Sequence, residues 1–355
     1  MGWQDRAVTR RSAQTLRRVS GYALAVMGLL WVFHDVKLDA FLASARTMDW
    51  WWVAPAVLCD IVSYLCQGVR WMYLLRPVGS LSPLRATQAI YVGLFANELV
   101  PMRLGELVRA YLASRWMGLP VGSLIPSMLV ERLLDGVWLA LGIAGTAMFV
   151  PLPQKVLRGV YISGALLAAA VLLFGYLLFR GPRLAEVAPS PITRHQQTCS
   201  ITAFIRRTAI EASKIGSPRI LALAAVFSVG LLTFQALAFW LVMVSYGLPL
   251  PLGPGLAVFL VVHLGTSIPN TPANVGSFQF FTVLGLMLFG VEKSTAAAFS
   301  VAVFLVLTLP LWVLGSVALA RSGTSLPALR LGIRDVVSPT EAVLKEDGIP
   351  YVRTL

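Results

Sequence analysis

Within "FANELVPMRLGELVRAYL", residues 95–112, four ionisable side chains are gathered: Glu98, Arg103, Glu106 and Arg109. Asn97 precedes them, and Pro101 and Gly105 interrupt the run. An arginine fork matches a phosphate or carboxylate bidentately. A broken helix end exposes backbone amides that attract anions. Glu106 stands three residues from both Arg103 and Arg109, so either pairing can form. This set suits a zwitterionic or anionic headgroup. The alternative is an interfacial helix whose charges are solvated.

A second group lies in "SMLVERLLDGVWLALG", residues 127–142. Glu131 and Asp135 are four apart and share a helix face, with Arg132 beside them. An ionised side chain at a bilayer centre costs about 2.5–3.5 kcal/mol on insertion scales, so such residues face a cavity or a partner. Both readings stand here, the partner being Arg103 or Arg109. A third group, "SIPNTPANVGSFQFF" at 267–281, is polar without charge and offers Asn270, Asn274, Ser277 and Gln279. Arg70 reads as a positive-inside anchor at a helix end. Asp60 falls mid-helix and calls for a partner.

These residues need a membrane scaffold. The 355-residue chain is 57% hydrophobic and 13% charged, against about 25% charged in a soluble domain. The net charge of +13 comes from Lys and Arg in the loops, which encodes membrane orientation. No basic stretch is interleaved with stacking aromatics, which argues against nucleic acid. Cys59, Cys66 and Cys199 lack metal or redox spacing, and His34, His195 and His263 are scattered. No metal, cofactor or catalytic residue is assigned, and the oligomeric state is left open.

Full spans are expected at 19–34, 50–75, 122–150, 156–180, 219–246 and 294–320. Ala43-Ser44-Ala45 imitates a signal cleavage site, but Lys37 and Asp39 separate it from the apolar run, so an uncleaved first helix is expected. Trp50, Trp51, Trp52 and Trp116 read as interfacial residues. Two regions, 84–117 and 254–291, are apolar but broken. Their tips are Pro101 with Gly105 and Pro272 with Gly276. Basic residues crowd the segment before residue 19, the 181–218 loop and the segment after Arg321. The positive-inside rule puts all three in the cytoplasm, which requires 84–117 and 254–291 to be re-entrant hairpins of opposite orientation.

An internal repeat agrees with this. Gln67, Trp71 and Gly79 match Gln235, Trp240 and Gly247, and "VPMRLGEL" aligns with "TPANVGSF". Where the first copy has Glu106, the second has Ser277. The expected fold is an all-α polytopic membrane protein with about six full spans plus two broken re-entrant helical hairpins in an inverted repeat. Its parts are a basic N-terminus (1–18) and a transmembrane domain (19–322), with repeats at about 50–150 and 219–320. The loop 181–218 and a tail (323–355) complete it.

"NELVPMRLGELVRAYL", "SMLVERLLDG" and "PNTPANVGSF" together resemble the lysylphosphatidylglycerol synthase transmembrane-region family, over about residues 15–322. The chain is similar to the flippase half of multiple peptide resistance factors. The resemblance implies lipid translocation in a bacterial inner membrane. It points to Asn97, Pro101, Arg103, Gly105, Glu106, Arg109, Glu131, Arg132, Asp135, Pro272 and Gly276. The soluble aminoacyl-transferase domain of the two-part enzymes has no counterpart in this sequence, so lysyl transfer by this chain alone is not expected. The expected function is flipping of a polar or anionic lipid through a midplane cavity between the two hairpins. Glu98, Asn270, Asn274 and Ser277 join the residues that serve it. Without a P-loop, movement is passive or ion-coupled, with Glu106, Glu131 and Asp135 as protonatable groups. Two alternatives are a membrane transferase acting on a phospholipid or polyprenyl phosphate, and a non-catalytic subunit of a partner lipid-modifying enzyme.

Overall fold

A computed structural model describes residues 26–34, 48–99, 104–149, 217–248, 250–267 and 272–324, with 165 and 169. The described elements are helical. The long helices are α1 (Trp50–Leu75), α4 (Ile125–Phe149), α5 (Pro218–Ser245) and α8 (Lys293–Ala320). Between them lie two helix pairs, α2 (Pro83–Leu99) with α3 (Gly105–Met117), and α6 (Leu252–Thr266) with α7 (Ser277–Met287). Residues 26–33 are also helical. Most of the expected segment 156–180 lies outside the described residues.

Length separates these helices physically. At 26 to 28 residues, α1, α5 and α8 are long and apolar enough to cross a membrane. The 25-residue α4 is as long as a span but carries Glu131, Arg132 and Asp135. By contrast α6 and α7 have 15 and 11 residues, about 22 and 16 Å of helix, against a hydrocarbon core of about 30 Å.

Local signals set the boundaries. The Asp49 carboxylate accepts the Trp51 N–H at 3.1 Å and caps α1. Pro218 opens α5 at its first turn, where no N–H is needed. Glycine serves the two helix pairs differently. Gly105 opens α3 against α2: a Cβ there would overlap the Gly93 carbonyl, and the Asn97 side chain would also crowd it. Gly276 instead has φ +89° just before α7, after Ala273 and Asn274 at φ +55° and +52°. Three left-handed residues in four positions turn the chain sharply.

The helices pack antiparallel. The Asp49 N–H donates to the Ser245 carbonyl at 2.8 Å, while Leu74 meets Ala224, so α1 and α5 run in opposite directions along their whole length. Gln88 donates to the Ala318 carbonyl at 2.9 Å and joins α2 to α8. The corresponding pair in the other half, α4 and α6, meets at Gly142 and Leu260. The largest core is built from α5, α6, α7 and α8 around Phe239, Val258 and Phe299. The Pro272–Asn274 turn packs against α2.

Candidate functional site

Six ionised side chains converge between α1, α3 and α4. Arg70 on α1 donates through Nη2 to Glu131 Oε1 at 3.1 Å, and through Nη1 to Asp135 and to Ser228 Oγ, the latter at 3.0 Å. Arg109 on α3 donates to the other Glu131 oxygen at 2.6 Å. Arg132 bridges Glu106 at 2.9 Å and Asp135 at 3.3 Å. Three cations therefore meet three carboxylates, and the cluster is neutral.

Burial divides it. The side chains of Arg70 and Glu131 are fully buried and Arg109 is 3% exposed, whereas Asp135, Glu106 and Arg132 are 22%, 27% and 42% exposed. Trp71 sits beneath the inner half. Its ring lies 4.9 Å from the Arg109 guanidinium carbon, and its Nε1 donates to Ser127 Oγ at 3.1 Å, which fixes the ring. Arg70 Nε and Arg109 Nε and Nη1 are buried without hydrogen-bond partners among the described residues. A buried ion pair is weak evidence for stability, because desolvation offsets much of the attraction, yet removing one member strands the other.

The outer half opens on a cavity of about 500 Å³. Its polar lining includes Asn97, Glu98, Glu106, Arg132, Asp135 and His263, and its apolar lining Leu139, Ile143, Leu231, Leu232 and Leu264. Asn274 reaches it from the second break. Asn97 Oδ1 accepts the Gly105 N–H at 2.8 Å, so the last turn of α2 caps the first of α3. Glu98 accepts from Trp312 Nε1 at 3.2 Å and ties α2 to α8.

The expected residues thus take different places. Asn97, Glu98, Glu106, Arg132, Asp135 and Asn274 line one cavity, Arg109 and Glu131 stand behind it, and Ser277 is buried at the start of α7. Pro101, Arg103 and Asn270 lie outside the described residues. The i,i+3 pairing of Glu106 with Arg109 does not occur, because α4 supplies each with its own partner. Arg70 is no interfacial anchor: it is fully buried and binds two carboxylates. A signal for it exists in the sequence. Asp60, Ser63, Gln67 and Arg70 recur at helical spacing, and all four are buried.

The lysylphosphatidylglycerol synthase transmembrane-region family profile matches residues 18–315. The chain belongs to this family. It is similar to a UPF0104 membrane protein from Methanocaldococcus jannaschii, 24% identical over 290 residues, 78% of this chain and 86% of that protein. It is also similar to Glycosyltransferase AglD from Haloferax volcanii, 28% identical over 147 residues, 41% of this chain. That match spans only 23% of the relative, so the chain corresponds to a part of it. No solved structure matches significantly. Family and helices together make this a membrane protein with several apolar spans.

Proposed function

We propose that this protein translocates a polar lipid headgroup across a bacterial inner membrane, with α2–α3 and α6–α7 as re-entrant hairpins of opposite orientation. The carrying observation is the cavity lined by Asn97, Glu98 and Glu106 from either side of the first helix break and by Asn274 of the second, with charged and apolar residues together in its lining. A headgroup fits the charged lining residues and the first methylenes of its tails the apolar ones. The short helices support re-entry: α6 and α7 are each too short to cross the hydrocarbon core, and non-helical backbone at membrane depth survives only under protein or beside water. The antiparallel packing of α1 on α5 supports an inverted repeat.

The charges refine the headgroup. Three carboxylates and one arginine line the cavity, while Arg70 and Arg109 are held away from it. Arg132 is the cavity's phosphate-binding group, and Glu98 and Glu106 receive hydroxyls or an amine. Arg103, which lies outside the described residues, is assigned by the sequence pattern to the same phosphate. The cytoplasm holds the N-terminus, the 181–218 loop and the C-terminus in this arrangement.

Reconstitution in phosphatidylglycerol–phosphatidylethanolamine vesicles tests the reading. An acyl-labelled fluorescent phosphatidylglycerol should become accessible to an impermeant quencher faster than in empty vesicles, with its mass unchanged. Arg103→Ala should slow it more than Arg158→Ala at matched protein content, and Arg103→Lys should restore it only in part. Equal rates with and without protein would overturn translocation. A changed lipid mass would favour the transferase reading, for which the likeness to part of Glycosyltransferase AglD speaks.

A further inference from the structure

The ionised cluster leaves one buried acid unused. Asp60 lies midway along α1 and is 4% exposed. Among the described residues no Lys, Arg or His nitrogen pairs with its carboxylate, and no hydrogen bond reaches its side-chain oxygens; the Ser63 hydroxyl bonds only the Asp60 backbone carbonyl. Arg70 is ten residues further on, about 15 Å along the helix, and is held by Glu131 and Asp135. Three titratable side chains lie close enough to feel its charge: Cys59 and Tyr64 on α1, and Tyr91 on α2. The packed helices α5 and α8 carry no ionisable residue beyond Arg219 and Lys293 in their first turns. The three on α4 are all ion-paired in the cluster around Arg70.

A neighbour of this acid on the same helix lines the cavity. Tyr64 is one turn from Asp60 on the same face and lines the cavity, as does Glu98. The Tyr64 and Tyr91 rings meet edge to face at 5.6 Å. An ionised carboxylate at Asp60 calls for a donor, and the Tyr91 hydroxyl is a buried one with no partner among the described residues.

We propose that Asp60 is a proton-binding site, filled from cavity water through Tyr64, whose titration moves the first hairpin and couples headgroup translocation to a proton gradient. The carboxylate takes one proton to become a neutral acid and returns it to water when the hairpin shifts. The inference rests on the translocation reading and differs from the expectation that Glu106, Glu131 or Asp135 carries the proton, since arginines engage all three.

The test uses the full chain in the vesicles described above, with two readouts. Infrared titration follows the carboxylic-acid carbonyl band, which should appear in wild type and Asp60→Glu and be missing from Asp60→Asn. A transmembrane pH gradient should change the rate of the fluorescent probe by up to about tenfold per pH unit, the free energy of one proton, in wild type. Asp60→Asn should abolish that response, and Asp60→Glu should restore part of it, which separates loss of the proton from loss of the fold. A spectrum unaltered by Asp60→Asn overturns the proposal, as does a gradient response that survives in it. A probe that moves in wild type but ignores the gradient overturns the coupling alone. A probe that stays still in wild type under every gradient overturns the translocation reading and the coupling with it.

Discussion

Glu131 holds two buried arginines, one on each carboxylate oxygen, and this makes it the most consequential acid in the cluster. Glu131→Gln keeps the shape but withdraws the charge from both Arg70 and Arg109. Breaking a buried pair in this way costs about 3–5 kcal/mol, so the variant should melt well below wild type in detergent. Arg132 differs because 42% of its side chain is exposed. Exposed pairs contribute only about 0–1 kcal/mol, so Arg132→Gln should melt within a few degrees of wild type while losing most probe movement in vesicles. A large loss of stability in Arg132→Gln would mean that the outer half of the cluster is structural. Equal activity of Arg132→Gln and wild type would remove it from the headgroup site.

At the scale of the element, the two helix pairs turn by unlike devices that one sequence pattern conceals. Both copies read Pro-x-x-x-Gly, yet Gly105 is needed for close approach and Gly276 for its left-handed backbone. Gly105→Ala should therefore force α3 off α2 and impair both yield and translocation. Gly276→Ala should cost about 1–2 kcal/mol from φ alone, with a smaller loss. Gly122→Ala is the control, because open space surrounds that position. Equal thermal stability of all three variants, measured side by side in detergent, would sink this account. The helix boundaries were legible because apolar run length, Pro and Gly are local signals. The partners of the charges were not. Glu106 and Arg109 sit three apart on one helix, so local spacing favours their pairing, and only the approach of α4 separates them. The position of Arg70 at a helix end suits an interfacial cation, whereas the polar stripe from Asp60 to Arg70 points to burial.

For the whole molecule, the antiparallel seam of α1 and α5 is the axis about which the two halves are arranged. A Cβ placed on Gly230 would lie 3.4 Å from Cys66 Sγ. Gly230→Cys should therefore form an intramolecular disulfide with Cys66 under mild oxidation, a spacing compatible with S–S bonding. The linked peptide, detected by mass spectrometry, would fix the helix register; two freely alkylated thiols after oxidation would contradict it. Membrane orientation is tested at Cys199, within the 181–218 loop. An impermeant maleimide should label it in inside-out vesicles and not in intact cells. Labelling from the periplasm would overturn the hairpin topology. Fold class and helix count in the broken regions could be read from composition and punctuation, whereas the cavity brings Glu98 and Glu106 together with Asn274, some 170 positions away, which no local pattern encodes.

The charge cluster also sets an order of assembly. All six of its ionised members lie between residues 70 and 135, and only the Ser228 hydroxyl comes from later in the chain. An unpaired arginine waiting in lipid is costly, so α1 has reason to linger at the translocation channel until α3 and α4 emerge. Once Asp135 has been synthesised the cluster is electrically complete, and its three helices can leave for the bilayer with these six charges paired. Helix α5 then packs along α1 and adds the Ser228 hydroxyl to Arg70. A ribosome pausing after residue 150 would therefore hold an intermediate whose six clustered charges are paired while α1 still awaits α5.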